Sequence, residues 1–313
     1  MRRRDLIALI CAAGWPLPAR AQQSRVYRIG ALVIGLADVA SFQKELREGL
    51  SELGRVEGRD YVVELRSADG ELGRLPTLAA ELVSLKVDVI VALFTPCGLA
   101  AKEATREIPI VVLTGDPLGT GLVRSLTRPG ANVTGLSQMA HQTHVKCVEL
   151  FQDMLPGARR IGLLVNGADP LFAKSLLEEA RVVGLTPVTV VQRVDELDAT
   201  FAKLATETDA VVFQASFPSA HMAELGLRYR LPTATALPAY AEIGGFMAYQ
   251  ADTRLLFRRA ATFVHKILRG ESPADMPVEQ PTKFGLVINL RTARTIGVSV
   301  PESFLLRADE VIE

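Results

Sequence analysis

The stretch LTGDPLGTGLVRSLTRPGANVTG, Leu113 to Gly135, decides how this chain is read. It follows the apolar run Ile108 to Leu113 and crowds Gly115-Asp116-Pro117, Gly119, Gly121, Pro129-Gly130 and Gly135 together. A dinucleotide fingerprint needs G-x-G-x-x-G, and after Gly119 and Gly121 the third position is Arg124. A Walker loop ends in Gly-Lys-Ser/Thr, a string found nowhere in the 313 residues. What remains is a strand, a tight turn and a helix expected from about Gly119, whose first N–H groups would face an anion. In open α/β sheets such a strand end is where ligands bind.

Short apolar runs alternate with amphipathic ones on both sides of this stretch. Tyr27–Ile34, Tyr61–Leu65, Val87–Phe94 and Ile108–Leu113 read as strands. Ser41–Leu53, Leu72–Leu85 and Gly98–Arg106 read as helices, the first with Phe42, Leu46, Leu50 and Leu53 on one face. Near-continuous apolar strands in a β-α-β rhythm imply a parallel sheet covered on both faces. The rhythm then restarts. Strands are expected at Arg160–Val165, Leu185–Val191, Ala210–Phe213 and Phe246–Ala248, with helices at Leu171–Val183, Asp195–Thr206 and Ala220–Tyr229. The fold class is therefore α/β, with two Rossmann-like lobes in series. The long helix Arg254–Leu268 is placed to return to the first lobe. The expected division is 22–134 plus about 250–272 for the first lobe, and 135–249 plus about 273–313 for the second.

The start of the chain reads as a leader. Arg2-Arg3-Arg4 precedes the apolar Leu6–Ala13, and Ala19-Arg20-Ala21 forms an A-x-A cleavage site. The apolar run is far short of the roughly 20 residues that span a bilayer. Arg3-Arg4-Asp5-Leu6-Ile7 fits a twin-arginine-like signal, and a Sec signal is the other choice. Ile10 is too bulky for a lipid-attachment site before Cys11. The expectation is a signal peptide over 1–21 and a soluble periplasmic product. A formal net charge of zero offers no general attraction for nucleic acid or an anionic membrane. Cys97 and Cys147 remain after cleavage and read as two separate buried thiols.

Against this background five blocks carry a resemblance: RRRDLIAL…ARAQQ, ELGRVEGRDYVVELRSADG, IPIVVLTGDPLGTGLVRSLTRPGANVTGLS, GGFMAYQAD and VEQPTKFGLVINLRTARTIGVSVPESFLLRADEVIE. The chain resembles the exported substrate-binding proteins of ABC transporters, in the subfamily of type I periplasmic-binding fold that includes aromatic amino-acid binders. The resemblance implies two lobes closing over a small solute, and an inner-membrane ABC permease as partner. It also implies a monomer without cofactor or catalytic residues. Its pocket positions map to Gly35, Thr95, Pro96, Gly115, Asp116 and Pro117 in the first lobe. In the second they map to Asn166, Ser216 and the Tyr240–Gly245 loop with Glu242. Two departures bear on the ligand: Asn166-Gly167-Ala168-Asp169-Pro170 stands where the family has two Asn-Pro pairs, and Phe213-Gln214-Ala215-Ser216-Phe217 is less polar than usual.

Other chemistries fit the residues less well. His141, His144 and Cys147 offer metal-binding atoms at three-residue steps. On a helix such steps drift around the axis, so a solvated helix start is expected instead, with no metal. Gly135-Leu136-Ser137-Gln138-Met139 lacks the second glycine of a nucleophile elbow. Asp116 reads either as a turn-former bonding its own backbone or as a ligand-binding acid. Asn132-Val133-Thr134 matches a glycosylation sequon but opens an apparent strand. An exported sensing module for a membrane receptor kinase, or an exported α/β enzyme, are the alternatives to transport.

Overall fold

Ile29, Ala31, Leu32 and Val33 lose almost all exposure to solvent because a strand with two covered faces has no polar side. The computed structural model describes residues 25–35, 39–185, 187–237 and 239–313, so the leader expected at Met1–Ala21 lies outside the described residues. The first sheet collects β1 (Tyr27–Val33), β2 (Tyr61–Ser67), β3 (Val89–Leu93), β4 (Ile110–Thr114) and β5 (Val133–Ser137). Its order is β2-β1-β3-β4-β5, and every pairing is parallel. The helices α1 (Val39–Glu52), α2 (Leu75–Ser84) and α3 (Thr95–Ala104) connect these strands.

The chain then crosses into α4 (Ala140–Met154), β6 (Ile161–Asn166), α5 (Pro170–Val182), β7 (Val188–Val191), α6 (Leu197–Glu207) and β8 (Ala210–Phe213). It continues through α7 (Ser219–Arg228), β9 (Thr233–Thr235), α8 (Ala239–Glu242) and β10 (Met247–Ala251). The second sheet runs β7-β6-β8-β9-β10 in parallel, the same strand order as the first. It is extended by β11 (Phe284–Asn289), antiparallel to β10, and by β12 (Glu310–Ile312). Between β11 and β12 lie α10 (Leu290–Ile296) and α11 (Glu302–Leu305). The fold is α/β with parallel sheets in two lobes.

The return helix α9 (Thr253–Leu268) buries Leu256, Phe257, Ala260, Ala261, Val264 and Ile267 in the core that α1 covers. Asp252 caps it by accepting from the Arg254 and Leu255 N–H groups. Its close approach to α1 depends on Gly49, where a Cβ would lie 2.7 Å from that of Ala261. The sequence division put residues from 135 onward, and 273–313, with the second lobe. The structure draws these lines elsewhere: β5 stays in the first sheet to Ser137, and Met276 and Val278 pack in the first lobe's cores. The Met276 carbonyl accepts the Thr134 hydroxyl at 2.7 Å, and the Ser137 N–H bonds the Glu279 carbonyl. The lobes are joined by three passages: after β5, between β10 and α9, and ahead of β11.

Cys97 is buried in the first lobe and Cys147 in the second, and both are free thiols. Burial pushes the Cys147 thiol up to about 12, which keeps it unreactive. Among the described residues no helix is long and apolar enough to cross a membrane.

Candidate functional site

Each sheet has one point where the strand order reverses, and the crevice beyond the carboxyl ends there is the binding position of open α/β folds. In the first sheet it lies between β1 and β3, bordered by Gly35 and by Phe94, Thr95 and Pro96. In the second it lies between β6 and β8, bordered by Asn166 and by Gln214–Phe217. Five of the sequence-derived positions therefore fall at the two reversal points: Gly35, Thr95, Pro96, Asn166 and Ser216. Among the described residues nothing lies within 4 Å of where a Cβ at Gly35 would be.

The polar groups at these mouths are tied to one another. Thr95 Oγ1 and Thr114 Oγ1 share a buried hydrogen bond of 2.6 Å. Asn166 donates from Nδ2 to Ser216 Oγ at 3.1 Å, and its N–H donates to buried Gln214 Oε1 at 3.0 Å. Asn166 Oδ1 accepts from the Ala168 N–H, holding the turn into α5. At the start of that helix Asp169 is buried, which raises its carboxyl pKa, while it caps the Phe172 N–H.

Gly115, Asp116 and Pro117 follow β4, one strand from the reversal point. The helix expected from Gly119 is absent. Residues 117–121 form turns, closed by the Gly121 and Val123 N–H groups on the Leu118 and Pro117 carbonyls. Asp116 Oδ1 accepts from the N–H groups of Leu118 at 3.2 Å and Gly119 at 2.8 Å. These donors are used internally, so the loop holds no helix terminus for an anion. Asp116 is thus a turn-former, one of its two expected roles. Its other oxygen reaches out of the lobe: Oδ2 accepts the Ser175 hydroxyl of α5 at 2.8 Å.

Tyr240 and Glu242 lie apart from this cluster. Tyr240 is fully buried, edge-on to Phe213, and its hydroxyl bonds Thr233 Oγ1 at 2.6 Å. The Ala241 carbonyl accepts from Asn289 Nδ2, and the Asn289 N–H bonds the Phe246 carbonyl. That places Ala241 and exposed Glu242 at the amino end of β10, the opposite edge of the sheet from Asn166. The resemblance implied Tyr240 as a pocket position; here the ring fills the lobe's core.

The His141, His144 and Cys147 face is a correction as well. All three are buried in α4 rather than solvated. Among the described residues no cluster of three His, Cys, Asp or Glu side chains could hold a metal. The His144 imidazole shares a hydrogen bond with the Ala140 carbonyl, and burial holds its pKa down at about 4. The Asn132 amide of the sequon donates to the Thr105 and Ile108 carbonyls, so it serves the loop around β4.

Phe94 was not foreseen. It adopts φ 70°, ψ 161° between β3 and α3, a region that is nearly glycine-only. Nothing in the residue type signals this; only the tertiary placement does. With the side chain removed, the backbone should decide stability: Phe94→Gly is expected to be more stable than Phe94→Ala by about 1–3 kcal/mol, reversing the usual order. Chemical unfolding of the two variants side by side checks this.

A family model described as ABC transporter substrate binding protein matches residues 37–312. A tyrosine-binding protein of Clostridioides difficile is 27% identical over 268 residues, covering 82% of this chain and 76% of that protein. A conserved domain protein of Vibrio cholerae superposes with a TM-score of 0.85 at 26% identity, over 92% of this chain and 100% of that one. An ABC domain from Streptococcus pneumonia solved in complex with L-Trp gives 0.82 at 25% identity, with the same two coverages.

Proposed function

Because the chain belongs to the family of ABC transporter substrate-binding proteins, proteins that bind solutes and are not enzymes, we propose that it collects an amino-acid-like solute outside the cytoplasm and delivers it to an ABC importer. The observation that carries the reading is the pair of strand-reversal points, one per lobe, each bordered by short polar side chains. Phe94–Cys97, Gly115–Gly119, Asn166–Asp169 and Gln214–Phe217 contain no lysine or arginine. A polyanion would want such charges; a small zwitterion does not. The start of α3 beside Thr95 supplies N–H groups for a carboxylate. Ser216 and Asn166 would meet the solute from the other lobe, and closure of the lobes would enclose it. The relatives that bind tyrosine and L-Trp favour an aromatic amino acid, with a branched one as the other choice that the resemblance offered. Tyr240 and Glu242 have no part in this site. Export through the leader at Met1–Ala21 belongs to the same proposal.

Native mass spectrometry of freshly purified protein, followed by a thermal-shift panel of the amino acids, tests the reading. The expected result is one or a few aromatic or branched amino acids that stabilise the fold by about 2.7 kcal/mol at a hundredfold excess over Kd. Stabilisation by inorganic anions or metal ions alone would remove the amino-acid reading.

A further inference from the structure

The loop after β4 does more than end a strand, because it is seated on a helix of the other lobe. Gly115 lies against α5: a Cβ there would come within 2.7 Å of the Phe172 ring and 2.8 Å of Ala140 Cβ. At Gly119 a Cβ would collide with both the Asp116 carboxylate and the Ser175 hydroxyl. Two glycines with no room for a side chain thus frame one carboxylate. Asp116 Oδ1 is held by its own loop, which fixes Oδ2 toward α5. There the Ser175 hydroxyl donates to it at 2.8 Å, and His141 Nδ1 lies 3.5 Å away with its ring against Phe172. Asp116 belongs to the first lobe, and Ser175 and Phe172 to the second.

We propose that Asp116 and Ser175, packed between Gly115, Gly119 and Phe172, form an interlobe latch that sets the balance between closed and open lobes. Ser175 is then a positioning residue that acts on the bound solute through closure. The latch has the chemistry for this role. A hydrogen bond to a charged group is stronger than a neutral one, and it exists only while the lobes meet. When they separate, both partners return to water, so the device adds stability to one state alone and shifts the population accordingly. Gly119 contributes by leaving space, since any side chain there would wedge the two partners apart. Ser175 lies on a helix face whose buried neighbours, Phe172 and Leu176, keep the helix in its own lobe whatever residue 175 is.

Small-angle scattering of the whole protein, without and with a saturating amino acid, tests the latch in Ser175→Ala, Ser175→Thr and Gly119→Ala. The expected result is a more open profile for Ser175→Ala and Gly119→Ala, with release of bound amino acid roughly tenfold faster. Ser175→Thr keeps the hydroxyl and should restore the wild-type profile. Scattering and release unchanged in both Ser175→Ala and Gly119→Ala would overturn the proposal. So would an opening in Ser175→Ala that threonine does not reverse, since the hydroxyl would then not be its cause. Only the release-rate arm rests on the proposed function. If the wild-type protein retains none of the amino acids, that reading fails while the scattering comparison still decides the latch.

Discussion

Replacing Gly135 by alanine is expected to destabilise the first lobe by roughly 2–6 kcal/mol, the largest effect of any single methyl group in the quoted stretch. Gly135 sits in β5 opposite Val112, with φ at 142°. A Cβ at that point would fall on the Val112 carbonyl oxygen and crowd its amide nitrogen. Two costs therefore add: a backbone region that side chains rarely adopt, about 1–3 kcal/mol, and overpacking against rigid backbone, about 1–3 kcal/mol. Neither neighbour can give way. Val112 is in the middle of β4, and on its other side β5 is held by the Glu279 N–H bonded to the Gly135 carbonyl. Denaturant unfolding of Gly135→Ala beside Gly130→Ala makes the comparison internal. Gly130 also has a positive φ, but its nearest neighbour to a Cβ is 3.7 Å away, so only the backbone cost applies. Equal losses for the two variants would show that the contact with Val112 carries nothing.

The runs Val89–Leu93 and Ile110–Thr114 announce buried parallel strands because apolar residues at every position have no other use. The spacing of Leu256, Phe257, Ala260 and Val264 likewise announces a helix with one buried face. The expectation of a helix from about Gly119, taken from the strand–turn–helix order, is not met. Asp116 takes the N–H groups of Leu118 and Gly119, and Gly121 turns with φ at 72°, so the chain stays in turns. The candidate site divides in the same way. The strand ends at Thr95-Pro96 and at Asn166 can be read from the alternation of elements, whereas Gly35 and Ser216 come only from the resemblance. Tyr240, which the resemblance implied as a pocket position, lies on α8 and packs its ring edge-on against Phe213 in the core, a placement that only tertiary packing decides. Ser175 carried no signal at all: a serine inside an amphipathic helix gains meaning only when another lobe brings a carboxylate to it.

Acid is expected to weaken the second lobe through His144, by roughly 3 kcal/mol between pH 6.5 and pH 4. His144 is about 1% exposed, and its Nδ1 is paired with the Ala140 carbonyl. Among the described residues its buried Nε2 makes no hydrogen bond, and a proton there would be met only in part, by the Phe213 backbone, which opposes the effect of burial. Burial thus lowers the pKa from the ordinary 6.5 to about 4, and the nearby His141 lowers it further against the opposing pull of the Ala140 carbonyl. The unfolded chain binds the proton more readily than the folded one. Stability from this group is therefore fully present above about pH 6.5 and is lost as the pH falls toward 4. His141 is shifted the same way by burial and adds to the loss, with Asp116 and Glu179 opposing it. Denaturant midpoints measured from pH 7.5 to pH 4.5 should fall with a slope approaching one proton for His144 alone. The variant His144→Gln cannot take up that proton, so its slope should be flatter by about that amount even where its neutral-pH stability is lower. A wild-type slope that survives the substitution unchanged would assign the acid sensitivity to another group.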